Sequence, residues 1–340
     1  MLNSPATAPL KVALIVPIFN DFASFTQLCR EIDMLVPEWN AELSVIGIDD
    51  GSYQTPGPLF TDRPIANIHA IELVKLRCNL GHQRAIAVGL VLAEAEKRFD
   101  AVLVADSDGE DRPLDMGRLL AEHRAASDAV IVGQRAKRSE SFHFRAFYAL
   151  YKFLFALLTG KKIDFGNFVL LPREALSRFV NMSECWSHLA ASILFSRLPL
   201  RSVSCDRGKR YAGTSSMNLV SLLNHGLSAV AVFGEFVFAR MLIASGLMTA
   251  VAVAMAAVAI FIRVTTNLAV PGWTTMVVGI SLIIVSQALL FCMMASLTML
   301  RIRSAATFIP SLQAPAYVSE RIDLLTGNPA HHDGLSQAKA

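Results

Sequence analysis

The sequence predicts an α/β protein: a Rossmann-like, mostly parallel sheet with flanking helices, then interfacial helices and two C-terminal transmembrane helices. Three observations carry this expectation. Short apolar runs alternate with helical stretches over about the first 130 residues, the rhythm of strand–helix–strand units. Acids and amides collect just after one run after another, which is where an open parallel sheet binds its ligands. Two late stretches carry no charge over a length sufficient to cross a bilayer. Composition agrees, since 53% of the 340 residues are hydrophobic, only 17% are charged, and the mean hydropathy is +0.45.

Taken in order, Lys11 to Pro17 reads as a buried strand, with Asn20 and Asp21 as a turn and N-cap for a helix over Phe22 to Leu35. Leu43 to Ile48 is a second strand ending in Asp49-Asp50-Gly51-Ser52, and Ile68 to Val74 is a third. A helix from about His82 to Arg98 follows Asn79-Leu80-Gly81. Ala101 to Ala105 is the next strand, and four acids (Asp106, Asp108, Glu110, Asp111) stand at its end. So much negative charge beside a core is costly unless cations compensate it. Asp106 and Asp108 offer hard oxygens to one Mg²⁺ or Mn²⁺; the alternative is a solvated acidic turn capping the helix that starts near Pro113. A strand over Ala129 to Val132 leads into Gly133-Gln134-Arg135.

Beyond Arg138 the texture changes. Phe142 to Thr159 is aromatic-rich with Arg145 and Lys152 on one face, the profile of a helix lying in a membrane interface, or else a buried domain helix. Asp164-Phe165-Gly166-Asn167-Phe168 heads an apolar strand, Val169 to Leu171, and a helical segment around Trp186 to Leu198 precedes a basic run of Arg201, Arg207, Lys209 and Arg210. Gly213-Thr214-Ser215-Ser216 reads as the N-cap of a helix over Met217 to Arg240. Leu242 to Ile262 is 21 residues long, about 31 Å as helix, and Thr274 to Leu300 is 27. Arg240, Arg301 and Arg303 flank the pair and place both ends in the cytoplasm, although Arg263 between them weakens the asymmetry. The tail from Ser304 reads as mostly loose, with His331-His332 solvent-exposed.

The expected domains are therefore 1–138, an α/β core; 139–227, a part with juxtamembrane amphipathic helices; 228–303, a membrane anchor; and 304–340, a cytoplasmic tail. A net charge of +3 is too small to suggest nucleic acid. Five cysteines without paired spacing suit reduced thiols, and the N-terminus has no signal-peptide pattern. Self-association is left open.

With these motifs in sequence, the chain resembles the inverting GT-A fold glycosyltransferases of family 2, in particular the polyprenyl-phosphate enzymes of the dolichol-phosphate mannose synthase and GtrB type. The residues that carry the likeness are Val16 to Asp21, Asp49 to Ser52, Asn79 to Gln83, Asp106-Ser107-Asp108, Gly133 to Arg135, Asp164 to Phe168, Arg207 to Ser215 and Ala314 to Tyr317. The resemblance implies that 1–138 is a nucleotide-sugar-binding core of GT-A fold and 139–227 the acceptor-binding part, that Pro17, Asn20, Asp49, Asp50 and Asp106 bind the nucleotide, and that Asp106 and Asp108 hold Mg²⁺ or Mn²⁺ on the donor diphosphate. It implies that Arg135, Arg138, Arg207, Arg210 and Ser215 receive the phosphate of a lipid acceptor, and that Asp108, Asp164 and Arg135 serve catalysis. Asn167 stands where the family often has an acid, Ser216 where it has Lys, and Glu110 where Gln is common. Without that acid, Asp164 is the nearest candidate base. The function expected is transfer of a hexose from a nucleotide-sugar, UDP-linked or GDP-mannose, to a polyprenyl phosphate at the cytoplasmic face of the inner membrane. A hydroxyl acceptor on a glycolipid or polysaccharide, or a non-catalytic nucleotide-binding scaffold, are the alternatives.

Overall fold

Strand β1 (Leu10–Ile18) buries its last seven residues and forms the middle of the sheet. Its side chains alternate between two cores, as a period of two requires. Ala13 and Ile15 join the cluster that includes Ala85 to Ala93, while Val12, Leu14, Val16 and Ile18 pack with Phe25, Leu28 and Ile32. Each such aliphatic side chain contributes about 1.5–3 kcal/mol on burial. The computed structural model describes residues 8–54, 59–60, 63–135, 142–212, 219–266, 270–304 and 306–328.

The following elements are α1 (Phe22–Leu35), β2 (Ala41–Asp49), β3 (Ala70–Leu76), α2 (His82–Glu96), β4 (Ala101–Val104), α3 (Pro113–Ala125), β5 (Val130–Arg135) and α4 (Phe142–Thr159). Then come β6 (Val169–Pro172), α5 (Arg173–Phe179), α6 (Leu189–Ser196), β7 (Leu200–Cys205), α7 (Leu219–Ala231), α8 (Gly234–Thr265), α9 (Trp273–Ser304), α10 (Pro310–Gln313) and β8 (Val318–Asp323). Asp21 caps α1 by accepting from Ser24 N–H at 3.4 Å, and Pro113 opens α3, as their residue types lead one to expect. Helix α2 is buried continuously from Ala85 to Ala93. One side lies on the sheet and the other under α5, α6 and residues 314–317. The approach is close: a Cβ on Gly89 would lie 2.4 Å from Ile15 Cγ2.

The sheet runs β7-β5-β6-β4-β1-β2-β3-β8. It is parallel except at β6 and β8, which pair antiparallel with their neighbours. The chain lays β2 and β3 outward on one side of β1, then crosses to place β4 on the other. That reversal is a topological switch point, and a crevice opens outside the carboxyl ends of β1 and β4.

The expected strands and helices of the first 135 residues are all present, within a few residues at their ends. Beyond that stretch α5, β7, α10 and β8 were not foreseen. The basic stretch at Leu200–Cys205 is an edge strand, and the tail, expected to be loose, returns as α10 and β8. Local pattern could not reveal β8, because polar partners far away hold it. Arg321 bonds Glu72 and Glu96, which lie 249 and 225 positions earlier.

The chain divides into two compact units: Met1–Lys152, Lys161–Val232 and Phe308–Ala340 form one, and Phe153–Gly160 with Phe233–Thr307 the other. In the second unit α8 and α9 pack together through small residues. Ser245, Ala252 and Ala259 are buried at seven-residue intervals, and Ser245 Oγ reaches the Ala288 carbonyl at 3.4 Å. Gly234–Thr265 and Trp273–Ile302 are long and apolar enough to cross a membrane, and their most apolar windows are only 11% and 6% buried. In the same unit Arg240 donates to the Leu157 carbonyl at 2.6 Å, a cation at the carboxyl end of α4. The described side chains of α4 divide by face, with Phe155 buried and Phe153 and Leu157 exposed.

Candidate active site

Three loops line the carboxyl ends of β1, β2 and β3, and short polar bonds lock them. Asn20, in the left-handed region at φ +53°, donates its backbone N–H to Ser52 Oγ at 2.8 Å. Its side-chain oxygen accepts from the N–H groups of Tyr53 and Gln54 at 3.1 and 3.3 Å. Asp49 Oδ1 accepts from Ser52 N–H at 2.9 Å. Both oxygens of Asp50 are taken up by backbone, Oδ1 by Leu80 N–H at 2.7 Å and Oδ2 by Gly81 N–H at 2.9 Å. Burial raises the Asp50 pKa above the ordinary carboxylate value despite those bonds. Gly51 has φ +72°, and a Cβ there would lie 2.7 Å from Asn79 N, so the turn needs glycine. Pro17 sits inside β1 opposite Ile48. At the mouth, Phe19 and Tyr53 are exposed and meet edge to face at 6.3 Å; sequence reading gave Tyr53 no role, since its partner is fixed only by the β1–β2 pairing.

The acidic loop after β4 shows how four acids are tolerated beside a core. Asp106 Oδ1 lies 3.2 Å from His82 Nε2 at the start of α2. Burial works against a charged His82, but the carboxylate beside it outweighs that and raises its pKa. Asp108 accepts from Glu110 N–H at 2.9 Å through Oδ1 and from Arg210 at 2.9 Å through Oδ2. Burial nevertheless raises its pKa. Burial would raise Glu110 too, yet the guanidinium groups of Arg207 and Arg210, each 2.7 Å away, hold it below its usual value. Asp111 Oδ2 accepts from Asp106 N–H at 3.1 Å.

Arg207 and Arg210 come from the loop that follows β7, about 100 positions later in the chain (97 and 100). Backbone bonds fasten that loop to the acidic one: Gly208 N–H to the Glu110 carbonyl at 2.9 Å and Tyr211 N–H to the Asp108 carbonyl at 3.0 Å. The structure thus brings Asp106, Asp108, Arg207 and Arg210 together. Arg135 ends β5 in register with Cys205, the last residue of β7. The Arg135 side chain, with Arg138 and Ser215, lies outside the described residues. Asp164 pairs with Lys152 and lines a cleft of about 200 Å³ with Val132, Gln134 and Arg201.

Asn167 takes part in a relay that the sequence did not disclose. Leu189 N–H donates to Gln83 Oε1 at 2.7 Å, Gln83 Nε2 donates to Asn167 Oδ1 at 3.0 Å, and Asn167 Nδ2 lies 3.0 Å from His82 Nε2. Three elements distant in sequence meet in it, and the only advance signal was the run Gly81-His82-Gln83 at a helix start.

A divalent cation suits this donor set in kind. Mg²⁺ and Mn²⁺ take one or two carboxylates and complete their shells with water and substrate phosphate. Among the described residues no three His, Cys, Asp or Glu side chains are already gathered on one point, because Asp108 is turned toward Arg210.

A mostly parallel sheet with an acid-lined crevice at its switch point, flanked by helices, is the layout of a GT-A-type transferase. The chain belongs to glycosyl transferase family 2, whose model matches residues 13–190. Among curated proteins it is similar to YkoT of Bacillus subtilis (strain 168), an uncharacterized glycosyltransferase, with 24% identity over 277 residues, covering 79% of this chain and 81% of that one. The bactoprenol glucosyl transferase of Shigella phage SfX is 24% identical over 233 residues, 67% of this chain and 73% of its own. The dodecaprenyl-phosphate galacturonate synthase of Rhizobium johnstonii is 24% identical over 184 residues, 53% of this chain and 52% of its own.

Proposed function

We propose that this protein is a membrane-anchored inverting glycosyltransferase that moves a hexose from a nucleotide-sugar, a UDP-sugar in the first instance, to a polyprenyl phosphate at the cytoplasmic membrane face. One observation carries the reading: two arginines from the loop after β7 are delivered onto the acidic loop after β4, so that anion-binding and cation-binding groups share one crevice. The two relatives whose names include bactoprenol and dodecaprenyl phosphate support the same acceptor class, and the two long apolar helices support the anchor.

In this reading an oxygen of the acceptor phosphate attacks the anomeric carbon from the face opposite the leaving group. The bond from that carbon to the diphosphate breaks, its electron pair leaves with the nucleoside diphosphate, and the configuration inverts. Asp106 and Asp108 would hold Mg²⁺ or Mn²⁺, which when bound neutralises charge developing on the diphosphate, worth several kcal/mol of barrier. Pro17, Asn20, Asp49 and Asp50 shape the nucleoside end, with Phe19 and Tyr53 as aromatic surface at its mouth. Arg207 and Arg210 exchange Glu110 for the acceptor phosphate, joined by Arg135, Arg138 and Ser215; guanidinium forks match phosphate oxygens. A phosphomonoester with a second pKa of about 6 is already largely ionised at neutral pH and needs no base. The pairing of Asp164 with Lys152 agrees with that, since a hydroxyl acceptor would instead need a free base.

The test is nucleotide release by purified protein with Mn²⁺, screened over UDP-sugars and GDP-mannose, with and without undecaprenyl phosphate. Release that depends on the lipid phosphate, with a lipid-linked sugar product, is expected. Equal release without it, or transfer to a hydroxyl acceptor only, would overturn the acceptor assignment.

A further inference from the structure

The relay ending at His82 has a direction, and the direction can be read from one end. Leu189 N–H is a backbone donor with no alternative role, so the Gln83 atom 2.7 Å from it is the amide oxygen. The other end of Gln83 is therefore its NH₂, and the Asn167 atom it meets at 3.0 Å is an oxygen. That leaves the Asn167 NH₂ facing His82 Nε2 at 3.0 Å. Two N–H groups cannot face each other, so the neutral ring presents its Nε2 lone pair to that amide, while a proton gained by the ring sits on Nε2 beside Asp106, the form the carboxylate favours. Yet Asp106 Oδ1, also an electron-pair donor, lies 3.2 Å from that same nitrogen.

Two electron-pair donors this close share a positive charge between them, a proton in the unloaded site and a metal ion in the loaded one. Ligand bonds of about 2.1 Å at right angles leave adjacent donor atoms about 3 Å apart in an octahedral shell. The observed separation is close to one edge of such a shell. Imidazole nitrogen suits transition metals better than Mg²⁺, so the arrangement points to Mn²⁺.

We propose that His82, through Nε2, is a direct protein ligand of the divalent cation held by Asp106. This rests on the reading that Asp106 and Asp108 form the cation site of a glycosyltransferase, and it adds a third donor from a different element, the first residue of α2. The site then needs less from Asp108, which Arg210 holds in the structure. Asn167 acts as a positioning residue: its amide N–H holds the ring with the lone pair outward until the cation takes it. An acid at position 167 would accept from an Nε2–H and turn the nitrogen into a donor, so the amide and the ligand role belong together.

The experiment is pulsed electron paramagnetic resonance on the full chain in detergent, loaded with Mn²⁺ and UDP. A directly bound imidazole gives ¹⁴N modulation, which changes to the ¹⁵N pattern when the protein is labelled with ¹⁵N-histidine. The expected result is histidine-nitrogen coupling in the wild type, its loss in His82→Ala, and Mn²⁺ binding weakened about tenfold or more in that variant. Asn167→Asp is expected to weaken the coupling as well. The wild-type labelling result stands even where a variant fails to fold. Bound Mn²⁺ without histidine coupling, or coupling that survives in folded His82→Ala, overturns the inference and leaves the glycosyltransferase reading intact. A wild-type protein that binds no Mn²⁺ in the presence of UDP overturns both.

Discussion

The sheet from β1 to β4 and the two edge strands that join it later, β7 and β8, are built by different forces. The first group is held by shape: Ala13, Ile15 and Ile48 interlock with a helix that touches them through Gly89, with no charge in the contact. The second is tied down by charge over long sequence distances, Arg321 to Glu72 and Glu96, and Arg207 and Arg210 to Glu110. The contrast teaches that the framework of this crevice is a packing problem, whereas its contents are an electrostatic one.

The largest expected effect tests the charge-built side. Arg321→Ala removes the guanidinium that the buried Glu72 and Glu96 carboxylates share, leaving Arg98 on Glu96, and should cost about 3 kcal/mol, because breaking a buried ion cluster from one side is strongly destabilising. Thermal unfolding in detergent measures it. The packing side is tested by Gly89→Ala, whose added methyl meets Ile15 at 2.4 Å and should cost about 1–3 kcal/mol by overpacking. A larger loss at Gly89 than at Arg321 would break the comparison.

The smallest effect sharpens it. Glu110 has a folded-state pKa below its ordinary 4.5, so its stabilising contribution is complete above pH 4.5 and is lost as the pH falls through the lower folded value. Its arginine partners are 38% and 31% exposed, so solvent screening limits the contribution to about 1 kcal/mol. The gap between wild type and Glu110→Gln should therefore be about that size at pH 7, shrink in acid and shrink in high salt. A gap that grows on acidification would reverse the sign and exclude the assigned pairing.

The same division explains what could be read in advance. Apolar runs such as Val12 to Val16 and Val102 to Val104 announce buried strands, because burial writes a local pattern. Asp106 and Asp108 were legible because acids after such a run demand compensation, although which cations supply it was not. Edge strands β7 and β8 carry no apolar run, so their stretches passed as a basic segment and a loose tail. The partners of Asn167, His82 and Arg210 come from elements up to about 100 positions away (84, 85 and 100), and no local spacing encodes such meetings. Arg207 and Arg210 were recognised by type, but their engagement with Glu110 emerges only from the fold.

The late return of β8 also sets a timetable. Arg321 leaves the ribosome 249 residues after its partner Glu72, which at about 5–20 residues per second is a wait of roughly 12–50 s. Throughout that interval the outer rim of β3 has bare backbone donors and acceptors, an invitation to pair with any passing extended peptide. A nascent chain stalled in its apolar region therefore holds an unfinished domain, and a quality-control protease or chaperone has an open margin by which to recognise it.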